Sequence, residues 1–494
     1  MSGSGEREGE GRASATGRVG TPGGAADGRS PFLEVNAEPG RPVLGDLLRG
    51  RDATLVLPEG IVTAASVGAA ARLWCAALRE AGLAAGDRIV CALAPGAGFL
   101  ALLVASLRDG YAFAPVPPGE PLAPLLEALD ARLAVAAEDE GAPHVARATA
   151  TGAPALPLPA PRPTRGAPEP DVALLLRTGG TTGRGRWIAL SIANVTAVLD
   201  SHAPHMALDG ARVLSVLPWH HAFGLVLGVL AALRHADALT RDPHGGRDPD
   251  ALVALAEAHD VTHLDLVPAL ADRLARTPGG SALLDRLRHG IVGGAAVHAP
   301  LAARLAATRL RVGYGQTEAA PGICFGEPGE WRARWLGRPL GCEVRRDDDG
   351  VLAFRGPNAC VGEWRDGALV RLDPRAWRRT GDVVLATADG GFTYEGRASD
   401  AFKLANGRLV EAAHWEGALR ARCAGLDEVV LHTPDGEALA LVVSLRAGAA
   451  LPPLDALRAP LGPLGDRLRA VRVVAPDAWA RTLKGEVDRR RLPP

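Results

Sequence analysis

Between residues 177 and 183 the chain reads Arg-Thr-Gly-Gly-Thr-Thr-Gly, three hydroxyls and three glycines placed directly after an apolar run. Glycines let successive backbone N–H groups turn toward an anion, and threonines add donors without bulk. Thr178, Gly179, Gly180, Thr181, Thr182 and Gly183 therefore suit a phosphate, although the same composition also makes an ordinary turn. They do not form the G-x-x-x-x-G-K-[ST] pattern of P-loop nucleotide hydrolases. A second cluster, "VGYGQTEAA" (312–320), sets Tyr314 beside the open backbone of Gly315, an arrangement that suits adenine. In it Thr317 offers a hydroxyl to a phosphate, and Glu318 offers the hard oxygen that Mg²⁺ prefers. Read alone, this is equally a strand end with a capping threonine. In "RRTGD" (378–382) a turn delivers Asp382, which can accept from both ribose hydroxyls or simply close a turn. Among 55 basic residues only Lys403 and Lys484 are lysines; every other one is arginine.

The elements that must position these groups are legible as an alternation. "SVGAAARLWCAALREAGLAAGD" (66–87) has helical periodicity and stops at Gly-Asp. "RIVCALAP" then reads as a buried strand, and "GAGFLALLVASLRDG" as a helix ending at Gly110. The uncharged run 89–107 is long enough to suggest a membrane span, but Pro95, Gly96 and Gly98 divide it into that strand–helix pair. "ALVALAEAHDVTHLDLVP" and "LLDRLRHGIVGGA" repeat the pattern. Helices alternating with short apolar strands imply parallel sheets covered on both faces. Residues 140–170, rich in Ala, Pro and Gly, read as an exposed, extended connector. After about residue 340 hairpins take over, "EVRRDDDGVLAFRG" and "LATADGGFTYEGR", and the last hundred residues restart with strands of their own.

With 494 residues the chain exceeds one ordinary core, and 47% hydrophobic with 22% charged residues fits a soluble globular class. A net charge of −1 offers no field for a polyanion, which argues against nucleic acid as a partner. The six cysteines lack metal-ligand or C-x-x-C spacing, so free buried thiols in a reducing, cytoplasmic compartment are expected. Residues 1–30 have neither an apolar signal core nor transit-peptide character and read as a disordered tail.

In order and content these segments resemble the adenylate-forming superfamily of acyl-CoA synthetases, nonribosomal peptide synthetase adenylation domains and firefly-type luciferases. The resemblance covers about residues 55–494 and rests on "LREAGLAAGDRIV", "TGGTTG", "PWHHAFG", "GGAAV", "GYGQTE", "LGRPLGCEVR", "TGD", "YEGRASDAFKLANGRLV" and "RTLKGEVDRR". It implies an α/β fold. Residues 31–396 would form a large N-terminal domain of parallel and mixed sheets flanked by helices, with a β-rich subdomain. Residues 397–494 would form a small mobile α+β domain, joined to it by a hinge near Ser399.

The resemblance further implies ATP-dependent activation of a carboxylic acid to an acyl-adenylate, with Mg²⁺, and transfer to coenzyme A. Two alternatives are a ligase loading a carrier-protein pantetheine in trans, and a degenerate nucleotide-binding homologue without turnover. By carry-over, residues 178–183 grip the pyrophosphate end of ATP, with Arg186 behind them, while Thr317 meets a phosphate and Glu318 binds Mg²⁺. Gly294, Ala295, Tyr314 and Gly315 frame adenine, and Asp382 and Arg397 fix the ribose. His221 sits between the acyl pocket and the thiol tunnel. Lys484 bridges carboxylate and α-phosphate during adenylation, and Lys403 serves the thioester-forming state. Several positions depart from the family pattern: Gly179 for serine, Gly185-Arg186 for Pro-Lys, Ser399 for Asp or Lys, and a glycine after rather than before Lys484. "LPWHHAFGLVLGVLAAL" carries no aspartate to pair a substrate ammonium, which favours an acid with an apolar or aryl tail.

Overall fold

The computed structural model describes residues 48, 53–137, 143–178, 185–446, 448–480, 487–489 and 491–492. The expected tail at 1–30 lies outside them.

The alternation read from sequence builds an α/β molecule. Helix Ala64–Glu80 starts at a reciprocal cap, where Thr63 Oγ1 accepts from Ser66 N and Ser66 Oγ accepts from Thr63 N. Strand Arg88–Cys91 follows, buried throughout, and then helix Ala97–Asp109, closed by left-handed Gly110. The run that invited a membrane reading is thus a strand and a core helix. Among the described residues no helix is long and apolar enough to cross a membrane.

One eight-stranded sheet is parallel through its interior. From its edge, Val145–Arg147, Leu133–Ala136, Arg88–Cys91, Ala112–Pro115 and Leu174–Arg177 lie side by side. It then turns antiparallel through Trp187–Leu190, Gly362–Arg365 and Ala368–Arg371. A five-stranded sheet orders His263–Leu264, Arg212–Ser215, Ala238–Arg241, Thr54–Leu57 and Gly60–Thr63. A second eight-stranded sheet begins with the parallel pair Ile291–Gly293 and Arg311–Gly315 and continues antiparallel to Glu343–Arg346. Single bridges, His263 to His289 and Leu266 to Val292, join these last two sheets. Both expected hairpins form, Glu343–Arg346 with Val351–Arg355 and Arg378–Ala386 with Phe392–Arg397.

The segment expected as an exposed connector is more integrated than its composition suggests. Val145–Arg147 extends the first sheet in parallel, and Gly152 O accepts from buried Trp74 Nε1 at 2.9 Å. Asp130, fully buried, gathers Arg88 Nη2 (3.0 Å), Arg162 Nη1 (3.0 Å) and the N–H groups of Arg165 and Gly166. A buried carboxylate must be paired in this way, so the proline-rich stretch is pulled onto the sheet by polar satisfaction that hydropathy does not register.

Toward the C-terminus, Leu426–His432, Leu439–Leu445 and Leu468–Val473 form a three-stranded sheet against helix Ala412–Arg422, around Leu419, Val429, Leu441 and Leu461. This unit touches the preceding chain through Arg420 Nη2 to Glu395 Oε2 (3.0 Å) and the Arg334–Glu428 pair. Arg489 reaches back to Asp400 (2.9 Å) and Glu416 (2.5 Å), beside the turn Ala398–Asp400 that contains Ser399. All six cysteines are free and buried.

Candidate active site

Strands Leu174–Arg177 and Trp187–Leu190 are antiparallel, with Arg177 opposite Trp187, so the Gly/Thr segment is the loop of a hairpin. Gly179, Gly180, Thr181, Thr182 and Gly183 lie outside the described residues; the loop's two ends do not. Thr178 N donates to Arg186 O at 2.8 Å, and Arg186 N donates to Thr178 Oγ1 at 3.3 Å. Behind the loop Arg177 makes a two-pronged pair with Glu120, one prong at 2.8 Å. A pinned base holds the loop's exit, and Arg186 with it, in one place.

Arg186, where the resemblance leads one to expect lysine, uses both prongs of its guanidinium fork. Nη2 donates to Glu318 Oε1 at 2.7 Å and Nη1 to Glu363 Oε1 at 2.8 Å. Two fixed prongs span two carboxylates that a single ammonium would have to choose between. Glu363 in turn receives Arg365 Nη2 at 2.5 Å. Nothing in "VGEWRDG" marks Glu363 as part of a site; only the pairing of Gly362–Arg365 with Trp187–Leu190 brings it beside Arg186.

Thr317 and Glu318 occupy the short turn Thr317–Ala319, and both are half-buried. Gly315 is forced at the end of its strand, because a Cβ there would lie 1.6 Å from Pro321 O as the chain doubles back. On the same strand, Tyr314 donates from its hydroxyl to Asp382 Oδ2 at 2.6 Å. Burial and the Asp382 charge push that phenol well above its ordinary range, so it stays a proton donor. Arg397 approaches the other carboxylate oxygen, Nε to Oδ1 at 3.0 Å, and also donates to Thr380 O at 3.1 Å. Asp382 and Arg397 face each other across Arg378–Ala386 and Phe392–Arg397, and Asp382 is buried. The carboxylate is thereby oriented from both sides. Gly294, exposed and left-handed at φ +88°, and half-buried Ala295 follow the neighbouring strand Ile291–Gly293.

Thr178, Arg186 and Glu318 thus form one group of contacts and Tyr314, Asp382 and Arg397 a second, with Gly315 and Thr317 on the segment between them. The others stand apart from both. His221 is exposed on the turn before the π-helix Phe223–Leu230, its ring centroid 4.5 Å from that of half-buried His220. Burial, with Arg177 and Arg241 nearby, lowers His220 to about 4, so it is neutral at pH 7. Lys403 is exposed on the small hairpin Phe402–Lys403 with Leu409–Val410, and its ammonium pairs with none of the described residues. Lys484 lies outside the described residues.

No three or more His, Cys, Asp or Glu side chains converge among the described residues as a metal cage would require. The lone Glu318 carboxylate fits a Mg²⁺ ion that takes its remaining ligands from phosphate and water.

Comparison with known proteins places this geometry. The AMP-binding enzyme family matches residues 48–362. A feruloyl-CoA synthase of Amycolatopsis is 32% identical over 249 residues, 47% of this chain and 50% of that one. The chain spans 50 to 62% of the length of the curated relatives it matches most strongly. The amide bond synthetase McbA of Marinactinospora thermotolerans superposes with a TM-score of 0.69 at 26% identity, over 91% of this chain and 99% of that one. Apo MatB of Rhodopseudomonas palustris gives a TM-score of 0.71 at 21% identity, over 91% and 97%. The chain belongs to the AMP-binding enzyme family and has the fold of the adenylate-forming enzymes.

Proposed function

We propose that the protein activates a carboxylic acid with ATP and passes the acyl group to a thiol, that of coenzyme A. The observation that carries this reading is a pair of contact groups, Arg186 with Glu318 and Tyr314 with Asp382 and Arg397, joined by the short segment 314–318. It presents a cation to phosphates and an oriented carboxylate to a ribose along one strand end. The acid's carboxylate oxygen attacks the α-phosphorus in line, and the bond to the bridging oxygen of pyrophosphate breaks. In the second step the thiol attacks the acyl carbon and AMP leaves with its oxygen. Positioning and charge neutralisation supply most of the help that phosphoryl transfer can use.

In this scheme Asp382 and Arg397 hold the ribose, and the backbone at Gly294, Ala295 and Gly315 with the Tyr314 ring holds adenine. Residues 178–183 and Arg186 hold the departing pyrophosphate, with Thr317 on a neighbouring phosphate. Arg186 must exchange carboxylate partners for phosphate oxygens, an exchange made cheap by its half-exposed position. Mg²⁺, when bound at Glu318, neutralises charge on the phosphates. Lys484 reaches both anions, and Lys403 replaces it after the small domain, residues 397–494, swings at Ser399. His221 stands between acid and thiol.

A second reading has one specific observation in its favour. The amide bond synthetase McbA superposes at 26% identity over 99% of its length. An amine would then replace the thiol as acceptor. ATP–pyrophosphate exchange with a panel of aliphatic and aryl acids tests the activation step, and exchange with none of them overturns it. Product analysis with coenzyme A, a holo-carrier protein or an amine then identifies the acceptor.

A further inference from the structure

Strands Arg212–Ser215 and His263–Leu264 are parallel neighbours, Leu214 opposite Leu264, so the next residues, Ser215 at the end of its strand and Asp265 just past the other, stand at the C-terminal edge of the sheet. Ligands in open α/β sheets bind at such edges, outside the carboxyl ends of the strands. Here the edge opens into a cavity of about 10 Å³, lined by Ser215, Leu217, Gly224, Gly228 and Asp265 among others. It has room for one water-sized group. The chain runs from Ser215 through Trp219 and His221 into the π-helix that carries both glycines. Gly224 is needed because a Cβ would meet Pro218 O at 2.4 Å. Gly228 faces open space, its nearest neighbour being Phe223 O at 3.9 Å.

The polar groups of this cavity are incompletely used. Asp265 is buried, and burial pushes its carboxyl up to about 7. Oδ1 accepts from Ile291 N at 2.9 Å, and no described residue donates to Oδ2. Ser215 Oγ receives Trp219 Nε1 at 2.8 Å and, more distantly, Arg241 Nη1 at 3.4 Å, while its own proton has no acceptor among the described residues. The cavity therefore offers one acceptor and one donor, the complement of a hydroxyl. An ammonium would find only the acceptor satisfied and would leave the serine proton facing a cation. Serving Ile291 alone needs one oxygen and no charge, and an asparagine would do it as well.

We propose that Asp265 and Ser215 form the far wall of the acid pocket and select a carboxylic acid bearing a hydroxyl group at its distal end. This rests on the activation reading above. It also refines the expectation of an apolar or aryl tail, because the acid group comes from a different segment than the one containing His221.

The test uses the full chain and two acid series: benzoates with hydroxy, amino, methoxy or methyl at the para position, and hexanoate with or without a terminal hydroxyl. ATP–pyrophosphate exchange gives kcat/KM for each acid. Thermal shift in the presence of AMP gives the binding order of the same acids independently. The hydroxy acid should lead its methyl or unsubstituted counterpart by about 10- to 100-fold in at least one series, as expected for a hydrogen bond to an ionisable group. Asp265→Asn keeps an acceptor for Ile291 and turns a donor into the cavity, so the substrate hydroxyl loses its acceptor and the lead of the hydroxy acid should shrink. Ser215→Ala should narrow the hydroxy preference and serves if the Asn variant does not fold. Preference for the methyl or amino acid throughout, or variants that scale all acids alike, would overturn the proposal. If no acid supports exchange the activation reading falls, and the binding order alone decides whether the hydroxyl is recognised.

Discussion

In the proposed reading, the nucleotide-facing and acid-facing halves of this site are built on opposite principles. On the nucleotide side, side chains of opposite charge meet near the surface: Arg186 with Glu318 and Glu363, Arg397 with Asp382. Every charge has a partner before the substrate arrives, so binding is an exchange of partners at small cost. On the acid side a carboxyl, Asp265, sits among apolar walls with one oxygen engaged. Binding there restores a missing partner. The first arrangement suits a ligand that is always the same; the second discriminates, because a buried group left unpaired is penalised. The difference teaches where specificity should be sought: in the dry half.

Four experiments break or sharpen that contrast. The largest effect is expected where the halves meet. Lys484→Arg should lower acid-dependent pyrophosphate exchange by about 10²–10³, the scale of losing one well-placed donor to developing charge. Lys403→Arg should leave exchange intact and slow only thioester formation from supplied adenylate. Equal losses in both steps for both variants would remove the assignment of one lysine to each state.

Next comes acid stability, to which buried histidines and Asp265 contribute with opposite signs. Burial lowers His202 to about 4 and His289 to about 3; His205 lies by the first, and His263 and Arg311 by the second. Histidines held neutral contribute stability that is present above pH ~6.5 and lost as pH falls toward ~4, at about 1.4 kcal/mol per pH unit each. Asp265, raised to about 7, works in the opposite sense: it destabilises at neutral pH and recovers as pH falls from 7 toward 3.8. Asp265→Asn should therefore raise the denaturation midpoint at pH 8 and steepen its fall between pH 6.5 and 4. A variant with an unchanged acid slope would show that Asp265 is not held in that environment.

Asp382→Asn should raise KM for ATP about tenfold, with KM for the acid little changed, because it removes the charge that Arg397 and the ribose share. A comparable rise in KM for the acid would mean that the two halves are not separable. The smallest effect is expected from Gly228→Ala, whose methyl enters space that contains only Phe223 O within 4 Å. KM should rise several-fold for the longest acids alone, measured by exchange across a chain-length series.

The contacts within the proposed nucleotide half have local traces in the sequence. Tyr314, Gly315, Thr317 and Glu318 are contiguous, and Asp382 and Arg397 are partners across a hairpin whose Gly390-Gly391 turn is visible in the chain. Local backbone requirements leave local traces. Glu363 left none, because it meets Arg186 across 177 residues. Nor did Asp265: "VTHLDLVP" reads as a strand with one polar interruption, and only the pairing of His263–Leu264 with Arg212–Ser215 brings it beside Ser215. The Pro-rich connector misled for a related reason. Its composition describes a free chain, whereas Asp130, buried through the strand packing around Arg88, draws it in.

Sequence alone determined the order of elements, the short motifs and the two conspicuous lysines, because helix periodicity, turn residues and glycine loops are encoded by neighbours a few positions apart. Tertiary structure alone decided which carboxylate faces which guanidinium, and that one acid is left half-satisfied at the end of a parallel strand. Those outcomes depend on burial and register between segments distant in the chain, where an unpaired polar atom becomes costly only once the sheet has closed around it.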